Sequence, residues 1–182
     1  MLNNDASPVA TAMLIFFDTE FTQLGIDPRL ISIGLVAEDG ERTFYAELSD
    51  TYTEKDCSEF VHLAVLPHLE GGTSVMTMVE LTLRLGNWLE DFGQPVRLVT
   101  DSLSWDWPWI QKIFSIQGTW PENLARKPEI LGQYTELNLA IEKAFASGLR
   151  QHHSLDDAKA NRLGWLEHST KETKSDEDRP IL

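Results

Sequence analysis

Apolar positions fall along the chain in two rhythms, one suited to strands and one to helices. The first twelve residues, Met1–Ala12, are mostly polar, with Asn, Asp, Ser, Pro and Thr, and read as a flexible arm. From Met13 the run Met13-Leu14-Ile15-Phe16-Phe17 leads into Asp18 and Thr19, which has the length of a buried strand. Leu30–Ala37 is apolar and ends at the turn signal Asp39-Gly40, and Arg42–Leu48 alternates through Phe44, Ala46 and Leu48. These segments predict three antiparallel strands joined by tight turns.

Further on, Ser58–Leu69 reads as a short helix and loop. Met78, Val79, Leu81, Leu85, Trp88, Leu89 and Phe92 recur at helical spacing over Thr77–Phe92, and Gly93 stands where a helix would stop. Pro95–Thr100 is a short strand, and Trp105–Ile116 a helix with Pro108 near its first turn. Glu136–Ala146 and Leu155–Leu166 are predicted helical, and the polar stretch 167–182 reads as a mobile tail. This order predicts one α/β domain over residues 13–166, with a mixed central sheet flanked by helices.

Composition narrows the picture. A chain of 182 residues suits one domain, and 42% hydrophobic with 24% charged residues excludes a disordered chain. The single cysteine, Cys57, cannot form an internal disulfide, which fits a reducing cytoplasm. No positively charged segment leads into an apolar core near the N-terminus, and the apolar run there is far too short to span a bilayer, so no membrane association is expected. The formal net charge of -14 argues against a protein that grips a long stretch of nucleic acid, because phosphates are ordinarily neutralised by Lys and Arg. It is neutral towards an enzyme that takes only a strand end, where bound divalent metals supply local positive charge.

Three short segments carry candidate chemistry. In Phe17-Asp18-Thr19-Glu20-Phe21-Thr22 the two acids are two apart at a strand end, so both point to one face. Two like charges held so close are costly unless a cation lies between them, and hard oxygen ligands suit Mg²⁺ or Mn²⁺; alone, the pair also fits a turn with two solvated acids. In Thr100-Asp101-Ser102-Leu103-Ser104-Trp105-Asp106-Trp107 a strand runs into a loop, and Asp106 opens a helix, where a plain helix cap is the competing reading. In His152-His153-Ser154-Leu155-Asp156-Asp157-Ala158 a loop histidine precedes by five residues an acid in the first turn of a helix, where acids are in any case favoured.

Taken in order, these blocks resemble the DEDD exonuclease family, in the branch with a histidine in its third motif, with Ser154 in place of the usual small Ala. The resemblance covers roughly residues 13 to 165. It implies an RNase H-like fold with Asp18, Glu20, Asp106 and Asp157 as ligands of two divalent cations, Mg²⁺ or Mn²⁺. It makes His152 the general base, since His152 and not His153 lies five positions before Asp157. Asp101, at the strand end, competes with Asp106 or supports it. Phe21 and Thr22 would lie beside the terminal nucleotide, where an aromatic ring can stack on any base; Phe21 fits a core position equally well. Of Trp105, Trp107 and Trp109, at least two are expected to pack rather than stack on substrate. Arg126, Lys127 and Arg150 are candidate phosphate contacts, although solvated surface charge explains each of them.

The Ser58–Leu69 stretch and the short chain are similar to small bacterial exoribonucleases of the oligoribonuclease, RNase T and RNase AS kinds. That implies a homodimer removing nucleoside 5′-monophosphates from the 3′ end of single-stranded RNA by a two-metal mechanism. The competing readings are a 3′–5′ DNA exonuclease of proofreading type and a catalytically inactive nucleic-acid-binding module on the same fold. An inactive relative is expected to have lost an acid or the histidine, and here all five positions are filled.

Overall fold

The computed structural model describes residues 12–116 and 118–177. The expected N-terminal arm therefore lies, apart from Ala12, outside the described residues. A sheet of six strands runs in the order β4-β3-β2-β1-β5-β6. Its strands are β1 (Met13–Phe21), β2 (Leu30–Ala37), β3 (Thr43–Leu48), β4 (Val75–Met76), β5 (Val96–Thr100) and β6 (Glu129–Ile130). β2 runs antiparallel to both β1 and β3, while β5 lies parallel to β1, β6 to β5 and β4 to β3. The mixed sheet read from the sequence is thus present. The two-residue strands β4 and β6 were not foreseen, because two residues are too few to show a period.

The helices are α1 (Glu59–Ala64), α2 (Met78–Glu90), α3 (Leu103–Ser115), α4 (Thr135–Ala146) and α5 (Ser154–Glu177). They cover both faces of the sheet, which is why β2 is buried at all eight positions. One face carries Ile15, Phe17, Ile33 and Leu35 against α2 and α3, through Leu81, Leu85, Ile110 and Ile113. The other carries Phe16, Val36 and Val99 against α4 and α5, through Leu137 and Ala158. Alternation along β1 therefore sends Asp18 and Glu20 to the side of α4 and α5. Among the described residues no helix is long and apolar enough to cross a membrane.

Two boundaries differ from the sequence reading. α3 begins at Leu103, so Pro108 lies inside the helix and not in its first turn. α5 does not end at Leu166 but continues through Glu177, so the stretch read as a mobile tail is helical as far as that residue, and 178–182 lie outside the described residues. No apolar period runs past Leu166, but Lys, Glu and Ser are compatible with a helix, and no Gly or Pro lies between Leu166 and Glu177.

Candidate active site

Three elements bring the acids together. β1 supplies Asp18 and Glu20. α3 approaches from the opposite face and presents Asp106 from its first turns. α5 begins against β2 and presents Asp157. Carboxylate oxygens of Asp18, Glu20 and Asp157 lie within 4.8 Å of one another, and so do those of Asp18, Asp101 and Asp106. Asp18 belongs to both trios. The four acids expected to meet do meet, with Asp101 as a fifth, exposed member.

The start of α5 is placed by two small residues of β2. Gly34 leaves room for the backbone of Ser154 and Leu155, and the buried hydroxyls of Ser32 and Ser154 share a hydrogen bond of 3.1 Å. This gives the serine in the third motif a physical reason, since a hydroxyl there has a partner in the sheet. Asp106 is also held. It is 2% exposed, and its two oxygens accept hydrogen bonds from the hydroxyls of Thr19 (2.6 Å) and Thr100 (2.5 Å). Each carboxylate oxygen keeps a further lone pair, so these bonds orient the group without exhausting it. Neither threonine stood out in the sequence.

So much negative charge in one place is reflected in the proton affinities. Burial, then the charges of Asp106 and Glu20, raises Asp18 well above the usual carboxylate range. Burial and the neighbouring Asp157 push Glu20 up to about 8. Burial takes Asp157 to about 7 against the opposing hydrogen bonds from Glu20 and the His152 backbone, and Asp106 to about 6 against those from Thr100 and Thr19. The acids cannot all be ionised at neutral pH unless positive charge is supplied. Hard, closely spaced carboxylates fit divalent cations of the Mg²⁺ or Mn²⁺ type.

These groups open on a cleft of about 850 Å³. His152 lines it, half-buried, with its ring edge-on to Phe60 at 4.9 Å between centroids. Burial and the nearby His68 lower the pKa of His152, so the ring is neutral near pH 7 and free to accept a proton. His152 is also, among the described residues, the only non-glycine residue with positive φ (64°), a conformation that costs about 1–3 kcal/mol. His153 has a different task. It is 2% exposed, and its Nδ1 accepts the Asp156 backbone N–H at 3.3 Å, capping α5.

Phe21 and Trp105 form one wall of the cleft, with rings stacked at 5.6 Å and 17°. Trp109 is buried in the core and Trp107 packs edge-on against Trp120. Thr22, expected beside the substrate, is instead fully buried and does not line the cleft; its hydroxyl accepts the Arg29 backbone N–H at 3.0 Å. The strand irregularity between Glu20 and Phe21 takes the chain out of simple alternation just before this residue. Arg126 lies over Trp120, Arg150 is bonded to Asp156 and Glu70, and neither they nor Lys127 line the cleft. Among the described residues the cleft lining contains no Lys or Arg at all. It contains five side-chain amides, Gln23, Gln133, Asn138, Gln151 and Asn161, which lie scattered along the sequence and gave no signal there.

No family model matches the chain. Two curated proteins from two strains of Mycobacterium tuberculosis, each named 3′-5′ exoribonuclease, are 38% identical to it over 99 residues. Those residues make up 54% of this chain and 54% of each relative, so the chain spans about half the length of the curated relatives it matches. Among solved structures, the nuclease domain of 3′hExo, described as a DEDDh family member bound to rAMP, superposes with a TM-score of 0.59 at 15% identity, over 87% of this chain and 92% of that one. Pop2p of S. pombe, in its Mg²⁺- and Mn²⁺-bound form, gives 0.56 at 14% identity, over 88% and 84%. The Pan2 catalytic unit of Neurospora crassa gives 0.51 at 14%, over 96% of this chain and 30% of that one. With its mixed sheet and its acids gathered at the end of β1, the chain has the RNase H-like fold of the DEDDh nuclease domains.

Proposed function

We propose that the protein is a metal-dependent 3′–5′ exoribonuclease that releases nucleoside 5′-monophosphates from the 3′ end of single-stranded RNA. The observation that carries this reading is the pair of carboxylate trios sharing Asp18, beside a neutral histidine on the wall of the same cleft. The name of the two mycobacterial relatives favours RNA over DNA.

In this reading Asp18, Glu20 and Asp157 hold one divalent cation. Asp18 and Asp106, with Asp101 alongside, hold the second. Such a pair supplies Lewis acidity for an in-line displacement at phosphorus. His152 takes the proton from the attacking water, as a neutral imidazole can. Thr19 and Thr100 keep Asp106 aimed, and the Phe21–Trp105 wall stacks against a base near the scissile bond. Cleavage with departure of the upstream 3′ oxygen leaves the phosphate on the released nucleoside's 5′ side. A cytoplasmic homodimer completes the proposal, and sedimentation tests the assembly.

The direct test follows a 5′-labelled single-stranded RNA and its DNA counterpart in Mg²⁺ or Mn²⁺, comparing the wild-type protein with Asp18→Ala and His152→Ala. A ladder shortening from the RNA 3′ end, lost in both variants, is the expected result. Equal or faster cutting of DNA would transfer the assignment to that polymer, and no cleavage of either would leave a binding module.

A further inference from the structure

The left-handed turn at His152 is anchored on both sides. On one side stands Arg150. Its backbone N–H and its Nε both donate to Asp156 Oδ2, at 3.2 and 2.7 Å. Its Nη2 donates to Glu70 Oε1 at 2.9 Å, and Nη1 reaches the His68 carbonyl at 3.5 Å. On the other side His153 is buried, its ring stacked on Tyr45 at 4.5 Å. The segment holding Glu70 is itself fixed, because the buried Glu47 carboxylate accepts the backbone N–H groups of Glu70 (2.5 Å) and Gly71 (3.0 Å) and the Tyr45 hydroxyl (2.8 Å).

One guanidinium thus joins three separate pieces of chain: the loop that carries His152, the first turn of α5 beside Asp157, and the 68–71 segment tied to β3. Arg150 does not line the cleft. In an acidic protein, this cation is committed to side chains behind the histidine. The donors of an arginine fork have fixed directions and can serve Asp156 and Glu70 together, which a lysine ammonium on a flexible stem does poorly.

We propose that Arg150 is the positioning residue for His152: its contacts with Asp156, Glu70 and the His68 carbonyl hold the strained turn that aims the imidazole into the cleft. This rests on the reading of His152 as general base. A small displacement of a reacting group costs up to about a hundredfold in rate, while substrate, which Arg150 does not touch, binds as before.

The experiment compares Arg150→Ala, Arg150→Lys, Asp156→Asn, the Arg150→Ala/Asp156→Asn double variant and His152→Ala with the wild-type protein. It combines steady-state kinetics on short RNA with amide hydrogen exchange. Arg150→Ala is expected to lower kcat about 10- to 100-fold with KM changed less than about twofold, and Arg150→Lys to recover only part of this. Asp156→Asn should lower kcat in the wild-type background and add little to Arg150→Ala. Amides of 150–153 should exchange faster in Arg150→Ala while those of β1 stay protected. Wild-type kcat with unchanged exchange at 150–153 would overturn the proposal. So would faster exchange throughout β1 and α5, which makes Arg150 a general stabiliser. An inert wild type, or a fully active His152→Ala, counts against the nuclease or base reading itself. Exchange at 150–153 then still tests the anchoring, with faster local exchange supporting it and unchanged exchange overturning it.

Discussion

Gly34 lies under Leu155 so closely that a Cβ on the glycine would stand 2.1 Å from the Leu155 backbone nitrogen. Gly34 is also the residue of β2 that pairs with Asp18 of β1. The place where the sheet presents its first acid is therefore the place where it lets the start of α5 come down, bringing Asp157 to Glu20. The obstructing atoms are backbone, so a side chain cannot swing aside to make room. Gly34→Ala is expected to cost about 1–3 kcal/mol in a urea melt, as overpacking does, and to weaken Mn²⁺ binding as Asp157 is displaced. Gly86→Ala is the control: its Cβ would meet only Phe114, at 3.8 Å, in the middle of α2, and the change should be neutral or stabilising. Unchanged metal affinity in Gly34→Ala would refute the link between this glycine and the site.

The raised carboxylates set the pH dependence of the metal-free protein. Glu20 at about 8, Asp157 at about 7 and Asp106 at about 6 hold protons in the folded state that the unfolded chain releases near its ordinary values of 4.5, 3.8 and 3.8. Their effect on stability is absent at low pH, where both states are protonated; it turns unfavourable as pH rises past the unfolded values of 3.8 to 4.5 and is complete only above the folded values of about 6 to 8. Asp156, lowered by Arg150 in spite of its burial, works the other way and loses its contribution in acid. The metal-free Tm should therefore peak near about pH 4 and fall towards pH 8.5. Mg²⁺ should restore it at pH 8 and do little at pH 5. A metal-free Tm that stays level or rises between pH 5 and 8.5 would sink this account.

Asp18 is the acid common to both trios, so its charge is the costliest and its ligation the most valuable. Asp18→Asn is expected to raise the metal-free Tm at pH 8 while weakening Mn²⁺ binding more than the 10- to 100-fold typical of losing a supporting residue. Calorimetry on one sample with and without metal reads both effects. A variant less stable without metal than the wild type would show that Asp18 serves the fold and not a cation.

The absence of Lys and Arg from the described cleft lining makes a prediction about salt. Single strands neutralised by Z protein cations show a log–log salt slope of about -0.7Z. A site that meets phosphate charge mainly through metals should show a shallow slope, of magnitude below about 2. Fluorescence anisotropy with a short labelled RNA, the His152→Ala protein and Mg²⁺ measures it. A slope matching four or more released counterions would mean that the strand runs over basic residues outside the cleft.

Much of this was legible in the sequence where local spacing fixes geometry. Residues Ile15 to Phe17 announce a buried strand because burial on both faces demands an apolar run. Asp18 and Glu20 share a face because a strand alternates. The five-residue step from His152 to Asp157 sets a loop histidine against the first turn of a helix whatever the rest of the chain does. Other features depend on contacts between distant segments and leave no period to read. That Asp106 is the buried, doubly bonded acid and Asp101 the exposed one follows from Thr19 and Thr100, on two different strands. Thr22 turns inward at a strand irregularity, and α5 runs on past Leu166 through polar residues that show no apolar period. Gly34 matters only because α5, more than a hundred residues later, lands on it. Short-range pattern determined which residues could do the chemistry; packing at long range decided which of them face one another.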